Sequence, residues 1–190
     1  TCIIWDTKSG SMLNKLQGHN NVVYALSYNL PYSDKIATAS FDRTAKIWNA
    51  FDGKLLSTLN GHTAEVVCVS FDPGSKHVST GSMDNTAKIF DLQSEEEIFT
   101  LEGHQAEIIA LSYNSEGDKI LTGSFDYSAK IWDTYNGEEI FDLNEHNGEI
   151  SACQFDFNGN FVVTSSIDKT VKLWDLRNTK KSLKSFNEHN

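Results

Sequence analysis

Two markers recur at a single interval along this chain, and that interval limits the fold more than any other feature. A Trp-Asp pair, or a close variant of it, falls at Trp5-Asp6, Trp48-Asn49, Phe90-Asp91, Trp132-Asp133 and Trp174-Asp175, in steps of 43, 42, 42 and 42 residues. A histidine preceded by Gly or Glu falls at His19, His62, His104, His146 and His189, in steps of 43, 42, 42 and 43 residues. A repeat of this size is one supersecondary unit that cannot bury its apolar faces alone. Stability must come from stacking neighbouring units into a continuous core.

Inside each unit the pattern reads as four short strands divided by turn residues. The first strand is illustrated by residues 65–71, EVVCVSF, an apolar run almost without alternation, which predicts burial on both faces. Turn chemistry follows at Asp72-Pro73-Gly74, at residues 114–118 and at Asn158-Gly159-Asn160. The second strand reads KIATAS, HVSTGS, KILTGS and FVVTSS, and a tight turn opens after it at Asp42, Asp84, Asp126 and Asp168. The third strand runs into the aromatic marker. A turn that often holds glycine (Gly10, Gly53, Gly137) leads to the fourth, for example residues 55–59. No stretch sustains helical periodicity, so the chain is expected to be all-β.

With period, markers and strand order in place, the chain resembles the WD-repeat β-propeller family over its entire length. The resemblance implies four-stranded blades around a central channel, the first strand innermost and the fourth outermost. It divides the chain into an outer half blade at residues 1–16 and four complete blades at about 19–60, 62–102, 104–144 and 146–187. A partial ring is expected, drawn from an eight-bladed or seven-bladed propeller.

Each blade repeats a histidine, a hydroxyl pair, an aspartate and an aromatic. The sets are His19, Thr38/Ser40, Asp42 and Trp48; His62, Thr80/Ser82, Asp84 and Phe90; His104, Thr122/Ser124, Asp126 and Trp132; and His146, Thr164/Ser166, Asp168 and Trp174. A hydrolase needs one activated serine, whereas this set returns in every unit at one spacing. A buried indole N–H, hydroxyl, imidazole and turn carboxylate can instead satisfy one another and tie three strands together. Sequence alone leaves the hydroxyl open between the Thr and the Ser two residues on; the working tetrads use Ser40, Ser82, Ser124 and Ser166. Phe90 keeps the aromatic bulk without the indole donor, so the hydroxyl of that blade is expected to need another partner.

One face of the ring, the top, is expected to bind protein. Phe41, Met83, Phe125 and Ile167 stand immediately before the turn aspartates, all large and apolar, and Glu65, Glu107 and Glu149 stand three residues after their histidines. Contiguous exposed apolar surface of this kind tends to mark interaction sites. The opposite face offers Tyr32, Phe51, Tyr135 and Phe157 in or beside its turns, a weaker candidate.

Composition narrows the function classes further. A net charge of −10 suits partners with basic patches and argues against nucleic acid, which is held by neutralising phosphates. Cys2, Cys68 and Cys153 form neither a disulfide framework nor a zinc spacing, which favours a reducing compartment. The longest apolar runs, such as Val66 to Val69, are strand-sized and too short for a membrane-spanning helix. No glycine-rich phosphate loop or His-Glu-x-x-His pair is present, and no cofactor, metal or catalytic residue is expected.

Several stretches go beyond the generic repeat: NNVVYALSYN, PYSDKIATASFD, GHTAEVVCVSFDP, GSMDNTAK and GHQAEIIALSYNSEGDKILTGSFD. These, with the extra residue inside NLPYSDK, resemble the subfamily of dynein assembly factors with WD repeats. That resemblance implies a cytoplasmic and ciliary adaptor, active near the basal body, that couples outer-arm dynein to intraflagellar transport components. A general scaffold, such as a ubiquitin-ligase substrate receptor or a signalling propeller, is the alternative. An enzymatic reading has no unrepeated nucleophile to support it.

Overall fold

The computed structural model describes residues 1–178 and 181–187; Glu188, His189 and Asn190, including the last histidine marker, lie outside them. Among the described residues the chain forms eighteen strands and no helix. A hairpin of β1 (Cys2–Trp5) and β2 (Met12–Leu16) is followed by four antiparallel four-stranded sheets. The first holds β3 (Val23–Tyr28), β4 (Lys35–Ser40), β5 (Ala45–Asn49) and β6 (Leu55–Leu59). The second holds β7 (Val66–Phe71), β8 (His77–Ser82), β9 (Ala87–Asp91) and β10 (Glu97–Leu101). The third holds β11 (Ile108–Tyr113), β12 (Lys119–Ser124), β13 (Ala129–Asp133) and β14 (Glu139–Leu143). The fourth holds β15 (Ile150–Phe155), β16 (Phe161–Ser166), β17 (Val171–Asp175) and β18 (Lys184–Phe186). Strands are paired in sequence order within each sheet, as an up-and-down blade requires.

The core lies between blades. Ile47 and Leu59 of the first sheet meet Val66, Val78 and Phe90 of the second. Ile89 and Leu101 of the second meet Ile108, Ile120 and Trp132 of the third. Leu121, Ile131 and Leu143 of the third meet Ile150, Val162 and Trp174 of the fourth. Leu101, Ile108 and Ile120 are wholly buried, and each such side chain contributes about 1.5–3 kcal/mol relative to exposure. This layering explains the unbroken apolar run of β7, whose residues Val66 to Val69 are all buried between two sheets. Among the described residues β3 and β15 each pack against one neighbouring four-stranded sheet, and their burial alternates or breaks accordingly.

Register is interrupted at repeating places. The first strand of every sheet carries a bulge near its start, at Val23/Ala25, Val66/Cys68, Ile108/Ala110 and Ile150/Ala152. A second bulge sits where the third strand meets the fourth in the first three sheets, and also in the β1–β2 hairpin. Bulges raise local twist and bend the strand. Their recurrence at fixed positions helps give successive blades a common shape.

Candidate protein-interaction face

The repeated polar residues converge in each sheet as one chain of hydrogen bonds. In the third, Trp132 Nε1 donates to Thr122 Oγ1 at 2.8 Å, and Thr122 Oγ1 lies 2.8 Å from His104 Nε2. His104 Nδ1 lies 2.8 Å from Asp126 Oδ2. A carboxylate only accepts, so Nδ1 carries the imidazole proton and Nε2 accepts from the threonine. The first sheet repeats this through Trp48, Thr38, His19 and Asp42, and the fourth through Trp174, Thr164, His146 and Asp168.

The hydroxyl at the centre is thus threonine, and the working assignment to Ser40, Ser82, Ser124 and Ser166 is corrected. Residues two apart on a strand share a face, so the serine lies on the same side but one step nearer the turn. There it accepts the N–H of the turn aspartate, as Ser124 does from Asp126 at 3.1 Å. Ser82, Ser124 and Ser166 also donate to the carbonyls of Ala64, Ala106 and Gly148, joining the two loops that form the top of each blade.

Phe90 interrupts the second chain without leaving its hydroxyl idle. Thr80 Oγ1 lies 2.8 Å from His62 Nε2, and no replacement for the missing indole donor is found among the described residues.

Four turn carboxylates hold this arrangement in its charged form. Burial alone would raise the pKa of Asp126. Hydrogen bonds from His104, from the Ser128 hydroxyl and from the Gln105 backbone outweigh it and hold the group far below the ordinary carboxylate range. Asp42, Asp84 and Asp168 are lowered in the same way. Burial lowers the pKa of His19, against the opposing pull of Asp42. These bonds tie the top loops of each blade to its strands.

On these loops the proposed binding residues sit in pairs. The N–H of Met83 donates to the carbonyl of Glu65 at 2.9 Å, Phe125 to Glu107 at 3.0 Å, and Ile167 to Glu149 at 2.9 Å. Phe41 makes the same bond to Val22 at 2.9 Å, so the first blade offers an apolar residue where the others offer a carboxylate. The side chains of Glu65, Glu107 and Glu149 form no ion pair or hydrogen bond among the described residues. Ile167 is 62% exposed, Phe125 38% and Met83 36%. Phe41 differs: it is half-buried, with the Tyr24 ring stacked on it at 5.4 Å.

The opposite face carries the more exposed aromatics, Tyr32, Phe51, Tyr135 and Phe157, at 61–88%. Here two sets of turn residues, some of them named in sequence as turn residues or markers, take a hydrogen-bonding role that the sequence reading did not assign. Asn29, Asp72, Asn114 and Asp156 each use a side-chain oxygen to accept a backbone N–H across the turn between first and second strands. The Asn or Asp of each Trp-Asp marker accepts from the next turn in the same manner, for example Asp133 from Tyr135. A third periodic set lies near the top: Thr44, Thr86, Ser128 and Thr170 donate to the turn aspartates at 2.6–2.7 Å. The periodicity itself was the signal that could have found all three.

The repeat described as "WD domain, G-beta repeat" matches at residues 10–49, 53–91, 95–133 and 137–175. Over 75 residues, 40% of this chain, the sequence is 60% identical to "Dynein assembly factor with WD repeat domains 1" of Homo sapiens and 56% identical to that of Danio rerio. That stretch spans 18% of each of those relatives. A more distant match, 28% identical over 40% of this chain and 8% of the relative, is "Periodic tryptophan protein 2 homolog" of Neurospora crassa.

Proposed function

This chain belongs to the WD-repeat family, and from that premise we propose that it is a non-catalytic scaffold whose top face captures proteins during assembly and ciliary delivery of outer-arm axonemal dynein. The observation that carries the binding role is the in-register pairing of an exposed apolar side chain with an uncommitted carboxylate on successive blades: Met83 with Glu65, Phe125 with Glu107, Ile167 with Glu149. Aromatic, Met and aliphatic anchors supply contact energy in such surfaces, while charges at the rim set encounter rate and exclude wrong partners. The Ser-His-Asp sets do not serve as nucleophiles in this reading. Each serine hydroxyl is turned to a loop backbone, and each histidine is committed to a threonine and an aspartate.

The dynein-related part rests on likeness to the assembly factors over 40% of the chain. In this reading the protein acts in the cytoplasm and at the ciliary base, with outer-arm dynein subunits and intraflagellar transport components as partners. Affinity purification of the full-length protein from ciliated cells tests this. Recovery of axonemal dynein heavy chains with transport proteins supports it, and recovery of a ubiquitin-ligase core in their place would replace it with the substrate-receptor reading.

A further inference from the structure

Left-handed backbone recurs at fixed positions in three kinds of turn. Between third and fourth strands it falls on Gly10, Gly53, Glu95 and Gly137, and between first and second strands on Ser33, Ser75, Gly117 and Gly159. Between second and third strands it falls on Arg43, Asn85, Tyr127 and Lys169, at φ 67–73°, and no blade uses glycine there. Such backbone is unfavourable for a residue with a Cβ, and positions of this kind cluster where the side chain has a role. These four residues each follow a turn aspartate on the top face, and Arg43, Tyr127 and Lys169 are exposed.

Their charges divide the top into sectors. The first and fourth blades hold a cation at this position, Arg43 and Lys169, whereas the second and third hold Asn85 and Tyr127. The top loops of these two middle blades, residues 62–65 and 83–86 with 104–107 and 125–128, contain no lysine or arginine. They do contain four carboxylates, Glu65, Asp84, Glu107 and Asp126. Asp84 and Asp126 are held in the charged form by their hydrogen bonds. Glu65 and Glu107 use their backbone carbonyls to accept from Met83 and Phe125, and their side chains form no ion pair among the described residues. Beside these carboxylates lie Met83, Phe125 and Tyr127, 36%, 38% and 46% exposed. Negative potential that no local cation offsets, next to thioether and aromatic surface, is complementary to a cation with an apolar neighbour. The chain as a whole, at a net charge of −10, adds a field of the same sign.

Resting on the top-face reading, we propose that the second and third blades form its binding sector, and that the occupant is a basic extended segment of a protein partner, with Lys or Arg beside aliphatic or aromatic residues. Glu65 and Glu107 receive its cations, and Met83 and Phe125 its apolar side chains. The Tyr127 ring offers its face to a further cation. Arg43 and Lys169 bound the sector, because a basic residue set against either is repelled, and this fixes where the segment lies.

Selection of a displayed library of random twelve-residue peptides on the full-length protein tests this directly. The expected result is an enriched class with Lys or Arg beside an aliphatic or aromatic residue, whose binding weakens as salt is raised. Its affinity should fall about threefold in each of Glu65→Gln and Glu107→Gln, the scale of one exposed ion pair, and about tenfold in the double variant. It should tighten about twofold in Arg43→Gly/Lys169→Gly, where two repelling charges are gone, and stay unchanged in Phe157→Ala on the opposite face. Glycine relieves the left-handed positions, and the glutamate side chains hold no partner, so these variants do not threaten the fold. Failure to enrich any peptide overturns the proposal, as does enrichment without a basic preference. Loss of affinity in Arg43→Gly/Lys169→Gly overturns it too. Peptides weakened by Met83→Ala/Phe125→Ala but not by the double glutamate variant would leave the top-face reading standing and overturn this one. Peptides indifferent to both sets would contradict both.

Discussion

Replacing Thr122 by Val keeps the β-branched shape and removes the hydroxyl on which the third blade's polar chain turns. Two buried groups then lose their partner: Trp132 Nε1–H, on a side chain only 2% exposed, and His104 Nε2, on a residue 5% exposed. A buried polar group left unsatisfied costs about 1–3 kcal/mol, so the expected destabilisation is roughly 2–5 kcal/mol. The second blade supplies its own control. Thr80→Val leaves only His62 Nε2 without a partner, because Phe90 has no donor to strand, and should cost about 1–3 kcal/mol. Urea unfolding of the full-length protein, followed by tryptophan fluorescence and circular dichroism, measures both. A Trp132→Phe change should also cost less in the Thr122→Val background than in the wild type, because its N–H has already lost its acceptor. Equal losses for Thr122→Val and Thr80→Val, with additive Trp132→Phe, would refute the claim that threonine joins indole to imidazole.

Other outcomes follow from the same geometry. The four turn aspartates have folded pKa values held below their unfolded value near ~4, so their stabilisation is full above that pH and lost as pH falls below it; Asp126→Asn should flatten the acid limb of a stability-against-pH curve by one group. His19, lowered mainly by burial, adds a loss that begins below its unfolded pKa near ~6.5, absent in His19→Gln. Gly81→Ala should destabilise by about 1–3 kcal/mol in thermal unfolding, because a Cβ there would collide with Cys68 Sγ and stand 2.8 Å from Ile108 Cγ2. Burial pushes the Cys68 thiol up to about 12 and raises Cys153 as well, so neither should react with a thiol reagent at neutral pH until the protein is unfolded.

The blades were legible because two markers kept one period, and because β7 reads as an apolar run that only a strand packed on both sides would carry. The identity of the tetrad hydroxyl was not. Thr122 and Ser124 lie on the same face of β12, and strand alternation cannot separate them; the difference is distance along the strand from the turn. Phe41 was grouped with the exposed anchors because it shares their register. The Tyr24 ring that covers it comes from β3, where the other complete blades have Val67, Ile109 and Ser151 at the corresponding position. The extra residue in NLPYSDK lies in the turn whose buried Asn29 bridges to the next blade, a contact that the sequence reading did not foresee. The partner of Asn29, Ser75, lies 46 residues beyond it, which no local pattern ties to that turn.

The central claim is that the top face holds protein partners through its apolar anchors. Its most direct test is the affinity of the full-length protein for its purified partner complex, wild type against a Met83→Ala/Phe125→Ala/Ile167→Ala variant, with folding of both followed by circular dichroism. The account predicts an unchanged spectrum and an affinity reduced by about 2–4 kcal/mol, since anchors of this type each contribute on the order of 1 kcal/mol or more. A folded variant that binds as tightly as the wild type would contradict it.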